Sequence, residues 1–211
     1  MKRTQPAFTI TELVLVVVVV GILASLALPR LDQSYRQQAA DNILNAIRFT
    51  QHLALVDNKT IPTQNDWQMT LWKISFTTGA SPFYTVSTDI DKDGSVDKNE
   101  TAVNPANGLY MYNTGGATVQ QDKDEDPNIF LGKKYGINNI SFSGGCANSQ
   151  HIAFDHLGRP HVNIGGATND YSTLMTDDCD ITFEFSNNED DLVITIQKQT
   201  GFAFIENQPA S

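Results

Sequence analysis

Two periodicities divide the chain. Residues 13–28, LVLVVVVVGILASLAL, pass without a charge, and extending the stretch back to Phe8 adds only one, Glu12. About 20 apolar residues at ~1.5 Å each span a hydrocarbon core of ~30 Å, whereas strands usually stop near ~8 residues. The pattern therefore predicts a transmembrane helix over residues 8–28. Beyond Pro29, Leu31, Tyr35, Ala39, Ile43, Ala46, Ile47, Thr50 and Ala54 recur near the helical period. Arg30, Asp32, Arg36, Gln37, Asp41, Asn45 and Arg48 fall mostly on the opposite side, which predicts an amphipathic helical half over 29–58. Pro29 is expected to kink the rod rather than end it, the alternative being two separate helices. Asp57, Asn58 and Lys59, followed by Ile61-Pro62, end it.

From residue 59 to 206 the period drops to two. Candidate strands are 67–76, 83–87, 109–112, 129–131, 139–142, 151–155, 161–164, 180–185, 192–198 and 202–205, separated by Gly, Asn, Asp and Pro. The alternation is clearest where Ile181, Phe183 and Phe185 oppose Thr182 and Glu184. Short strands without a second long helix predict an antiparallel sheet packed on the amphipathic helix, an α+β arrangement. Residues 207–211 form a tail.

Composition narrows the function classes. The chain has 211 residues, 40% apolar and 18% charged, in the range of an ordinary globular protein. Its 14 basic and 24 acidic side chains leave a net charge of −10. Nucleic acid is an unfavourable partner, because phosphate neutralisation by Lys and Arg supplies most non-specific affinity.

The N-terminus carries the most specific motif. An ordinary secretory signal peptide would use Lys2 and Arg3 as its basic region and cleave after Ser25-Leu26-Ala27, but Glu12 beside the apolar run gains nothing in such a segment. The stretch Phe8-Thr9-Ile10-Thr11-Glu12-Leu13 resembles the N-terminus of type IV pilins and type II secretion pseudopilins. The resemblance implies a leader at residues 1–7, cleavage between Ala7 and Phe8 by a prepilin peptidase, and N-methylation of Phe8. It also implies an assembly role for Glu12, whose carboxylate would meet a neighbouring subunit's terminal amine. Gly21 and Pro29 agree with the family, while Ala7 replaces its usual Gly. A pilin-like fold, a single-pass inner-membrane location with an external head, and assembly with other pilin or pseudopilin subunits follow as expectations. Two looser matches follow: Ile152–Pro160 resembles a hairpin of minor pseudopilins, and Ile194–Ile196 with Thr200–Phe202 resembles the end of H-type minor pseudopilins and related minor pilins. They favour a minor subunit of a secretion or pilus filament that contacts other subunits or secreted cargo.

A second motif is independent of the first. Residues 89–100, DIDKDGSVDKNE, match the twelve-position EF-type calcium loop throughout. Asp89, Asp91 and Asp93 would converge on Ca2+, Ser95 would offer its carbonyl, Asp97 would act through water, and Glu100 would bind from position 12. Strand-like flanks predict a structural site grafted between strands, the alternative being a solvated acidic turn. The only cysteines, Cys146 and Cys179, would pair if the head lies in an oxidising compartment, or remain as two thiols. Asp122–Asp126 reads as a solvated loop. His151, His156 and His161 converge only if a hairpin brings them together, and no hydrolase or nucleotide motif is present, so no enzyme is expected. The rival readings are a DNA-capturing minor pilin, disfavoured by charge, and a secreted calcium-binding β protein with an ordinary signal peptide.

Overall fold

The computed structural model describes residues 9–115, 119–165, 171–187 and 189–208, with 26–34 described by their backbone only. The chain divides into two units, Met1–Gln38 and Ala39–Ser211. Helix α1 (Ile10–Val56) begins in the first and ends in the second. Within the second unit its stripe is as the periodicity predicts: Ala39, Ile43, Ala46, Ile47, Thr50 and Ala54 are buried, joined by Ala40 and Leu44. Thr50 satisfies its hydroxyl on the Ala46 carbonyl at 2.8 Å, so a polar residue fits that face without cost to the core. Tyr35, expected on the same face, belongs to the first unit and is half exposed.

Among the described residues eight strands follow, with a short helix α2 (Leu131–Tyr135) before the third: β1 (Trp72–Thr77), β2 (Phe83–Ser87), β3 (Ile137–Gly144), β4 (His151–Phe154), β5 (Pro160–His161), β6 (Cys179–Phe185), β7 (Leu192–Ile196) and β8 (Ala203–Ile205). They form two four-stranded sheets, in the orders β2-β1-β4-β5 and β3-β6-β7-β8, with every pair antiparallel. In β6 Cys179, Ile181, Phe183 and Phe185 are buried in strict alternation, and the pairs Ile181↔Ile194 and Phe183↔Leu192 carry that register into β7. Both sheets and α1 share one apolar core, in which Phe76 meets Phe183 edge-on at 5.7 Å between ring centroids.

Several expectations are corrected. The head has two antiparallel sheets, not one. The transmembrane half assigned to residues 8–28, and with it the pilin-like single-pass architecture and inner-membrane location, is overturned: among the described residues no helix is long and apolar enough to cross a membrane. Residues 109–112 form no strand; Tyr110 makes only single bridges to Val103 and Glu125. Residues 129–131 belong instead to a 3-10 turn, Pro127–Ile129, and the start of α2. Local chemistry decides this: Pro127 lacks an amide hydrogen, and the Asp126 carboxylate accepts from the Asn128 amide at 2.9 Å, which initiates a turn.

Cys146 and Cys179 form a disulfide with Cα atoms 5.2 Å apart. It joins the turn after β3 to the start of β6, beside the last register pair, Gly144↔Cys179. Gly144 has φ +65°, and a Cβ there would stand 2.1 Å from the Asp178 carbonyl oxygen, so this close approach requires glycine.

Candidate cation site

The site grows from the end of β2. Ser87 and Thr88 are buried; the Thr88 amide donates to the Glu100 carbonyl at 3.0 Å, and its hydroxyl to the Thr70 carbonyl at 2.6 Å. At Asp89 the chain leaves the sheet, and after Glu100 it returns to the edge of β2 through the bridge Ser87↔Thr101 and the Ala102 amide on the Val86 carbonyl. The loop is therefore closed at its base by strand-like pairing, as its flanks predict.

Inside the loop, Asp89, Asp91 and Asp93 each present a carboxylate oxygen within 4.8 Å of the others, a group able to hold a metal ion. Asp89 is 1% exposed; its Oδ2 accepts from the Gly94 amide at 3.2 Å, while its buried Oδ1 has no hydrogen-bond partner. A buried carboxylate oxygen without a partner is costly, and a bound cation would relieve it. Gly94, at φ +85°, makes the turn that lets its amide face back to Asp89. The Ser95 amide and hydroxyl donate to Asp93 Oδ1 at 2.8 and 2.6 Å and hold its carboxyl below the usual range. Burial pushes Asp89 up, opposed by the Lys73 ammonium and the Gly94 amide. Burial likewise lowers Lys73, against the pull of Asp89 and Glu100.

Glu100, expected as the twelfth-position ligand, is 6% exposed and serves as the clasp of the loop. Its Oε1 accepts from the Ile90 and Asp91 amides at 2.7 and 3.3 Å, and its Oε2 from the Asp97 amide at 3.1 Å. One carboxylate thus ties the entry of the loop to its exit. Asp97 itself is exposed. All donors at hand are oxygens, the donor set of a hard cation rather than of a thiolate- or imidazole-seeking one.

The adjoining acidic segment is more structured than a solvated loop. Glu125 and Asp126 are buried, and Asp126 accepts from the side chains of Asn104, Asn107 and Asn128. Lys98, in the 3-10 turn Lys98–Glu100, lies 2.9, 3.5 and 3.8 Å from Asp124, Asp122 and Glu125. These carboxylates, Asp124 first, raise the Lys98 ammonium above its ordinary value, and Lys98 lowers Asp124. Neither Lys73 nor Lys98 is recognisable from the motif: one comes from β1, and the partners of the other are 24 residues or more away.

The three histidines do not converge into a metal group among the described residues. His161 is buried in a network in which its Nδ1 meets Thr173 Oγ1 at 2.8 Å, its Nε2 lies 3.5 Å from Asp155, and Arg159 grips Asp155 at 2.6 Å. His151 Nε2 instead accepts from the Ile164 amide at 3.3 Å.

At the other motif, Ala7 and Phe8 lie outside the described residues. Glu12 stands in the first turn of α1, and its Oε2 accepts from both the amide and the hydroxyl of Thr9 at 2.9 Å. These bonds hold the carboxyl below its ordinary value. Around it, Ile10, Leu13, Val14 and the residues through Leu23 are exposed within their unit, Ile10 at 85%. The chain matches no protein-family model, no curated protein and no solved structure.

Proposed function

We propose that this chain is a non-enzymatic, filament-assembling subunit, a minor pseudopilin of a type II secretion or type IV pilus machine, matured by a prepilin peptidase at Ala7–Phe8. The observation that carries the reading is an apolar helical segment, Ile10 to Leu23, that is exposed along its length and bears one ionised carboxylate in its first turn. Contiguous exposed apolar surface marks an interaction site. Copies of such a helix packing together would cover it. A lone carboxylate within that packing is costly unless an ammonium meets it, and the amine of a matured Phe8 in the next subunit is the partner the motif supplies. Glu12→Val is expected to yield a processed, folded subunit that is not recovered in filaments. Normal recovery of the variant would refute the assembly role. Mass spectrometry of the mature chain should find N-methylated Phe8 at its start; a start at Leu28 would replace this reading with that of a secreted protein.

We further propose that the ion held at Asp89, Asp91 and Asp93 is Ca2+ and that it serves the head structurally. The all-oxygen donor set, the twelve-position agreement and the buried, unpartnered Asp89 Oδ1 support this. Extracellular calcium modules bind with Kd of about 10⁻⁴–10⁻³ M. At 10 mM calcium such a site would add about 1.4–2.7 kcal/mol by mass action, a Tm increase of several degrees. Asp93→Ala should abolish the increase. A Tm unmoved by calcium would refute the site.

A further inference from the structure

The cation loop and the acidic segment after it are joined by one side chain, and that joint gives the loop a reach beyond its own twelve residues. Glu100 binds the amides of Ile90, Asp91 and Asp97, so closure of the loop and placement of the 3-10 turn Lys98–Glu100 depend on the same carboxylate. The turn is completed by the Thr101 amide and hydroxyl on the Lys98 carbonyl, at 3.3 and 2.7 Å. From this turn Lys98 reaches Asp122, Asp124 and Glu125. On their side, Glu125 Oε2 accepts from the Asp122 amide and the Asn113 side chain, both at 3.0 Å, and the Tyr110 and Asp126 main chains pair across the segment. Five carboxylates lie in the loop, at 89, 91, 93, 97 and 100, and three more surround Lys98. Like charges gathered this closely repel one another, and a bound cation in the loop would relieve that repulsion. Among the described residues, Lys98 is the cation that meets all three carboxylates of the acidic segment at this contact.

We propose that the cation site at Asp89, Asp91 and Asp93 is an ordering switch for the segment 120–126, acting through Lys98. Metal bound in the loop holds Lys98 in place, and Lys98 holds the acidic segment against the sheet. Loss of the metal frees both. The proposal rests on cation binding by the loop, and it names the element that binding controls.

Amide hydrogen exchange on the full chain tests it, with calcium chloride at 10 mM against chelator, in the wild type and in Lys98→Met. In the wild type, calcium is expected to slow exchange about tenfold or more both in 89–102 and at the Asp122, Glu125 and Asp126 amides. In Lys98→Met it should slow exchange in 89–102 alone. Protection of 120–126 by calcium in the variant as strong as in the wild type would overturn the role of Lys98. Protection confined to 89–102 in the wild type would overturn the coupling while leaving the cation site standing. No calcium effect in either segment would overturn the cation site itself. Magnesium at the same concentration serves as the control for ionic strength, and equal protection by both ions would reassign the switch from calcium to divalent cations in general.

Discussion

Acidification from neutral pH should weaken this fold through His151. Burial, and secondarily the charge of Lys73, push this imidazole from 6.5 down to about 4. The geometry agrees: Nε2 accepts from the Ile164 amide, a bond that only the neutral ring can make. In the unfolded chain the ring takes its proton near pH 6.5, while the folded protein resists until about pH 4. The unfolded state therefore binds more protons across this window, and stability falls as pH drops through it. A shift of this size corresponds to roughly 3 kcal/mol in full, of which roughly 2 kcal/mol is lost between pH 7 and pH 5. The assay is urea unfolding at pH 7, 6 and 5, in the wild type and in His151→Gln, which retains an acceptor but does not titrate. The variant should lose most of the pH dependence over this range. Asp89, whose carboxyl is raised by burial, works in the opposite sense but is present in both proteins, so it cancels in the comparison. A variant with the same slope as the wild type would refute the reasoning.

Two further outcomes follow from the packing. Replacing both Cys146 and Cys179 by Ser removes a cross-link closing a 33-residue separation, worth about 3–4 kcal/mol on the loop-entropy model; chemical denaturation of the variant against the oxidised wild type measures it, and a difference under about 1 kcal/mol would show that the β3–β6 pairing already holds this join. Asp155 is fully buried, and although burial opposes it, the His161 ring 3.5 Å away and hydrogen bonds from the Arg159 side chain and amide and from the Leu157 amide hold its carboxyl well below the ordinary range. Its contribution is therefore complete above about pH 3.8 and is lost as pH falls further toward its folded value. Asp155→Ala leaves the Arg159 guanidinium and two turn amides without their acceptor and should cost about 3 kcal/mol or more at pH 7, read by thermal or urea unfolding.

What the linear chain determined is whatever depends on neighbours in sequence. The helical period of Ala39, Ile43, Ala46, Ile47 and Ala54 names the buried stripe of α1, and the alternation at Ile181, Phe183 and Phe185 names the inner face of β6, because side-chain direction follows backbone period alone. The candidate cation loop is legible for the same reason: its candidate ligands, its glycine and its clasp all fall within twelve residues, and the turn itself brings Asp89, Asp91 and Asp93 together. Local reading fails where a few residues carry competing signals. Residues 129–131 are apolar enough for a strand, but Asp126 and Pro127 start a turn just before them. The apolar run at 13–28 reads as a membrane span on composition, yet among the described residues no helix is long and apolar enough to be one. Only tertiary structure decided that the strands divide between two sheets, since pairing β1 with β4 and β3 with β6 depends on contacts between distant parts of the chain. It also decided that Glu100 binds amides at both ends of the loop, and that Lys98 closes over carboxylates more than twenty residues away. Hydrogen bonds and ion pairs of that range have no periodicity to betray them, because which groups meet is set by how distant parts of the chain are brought together in the fold.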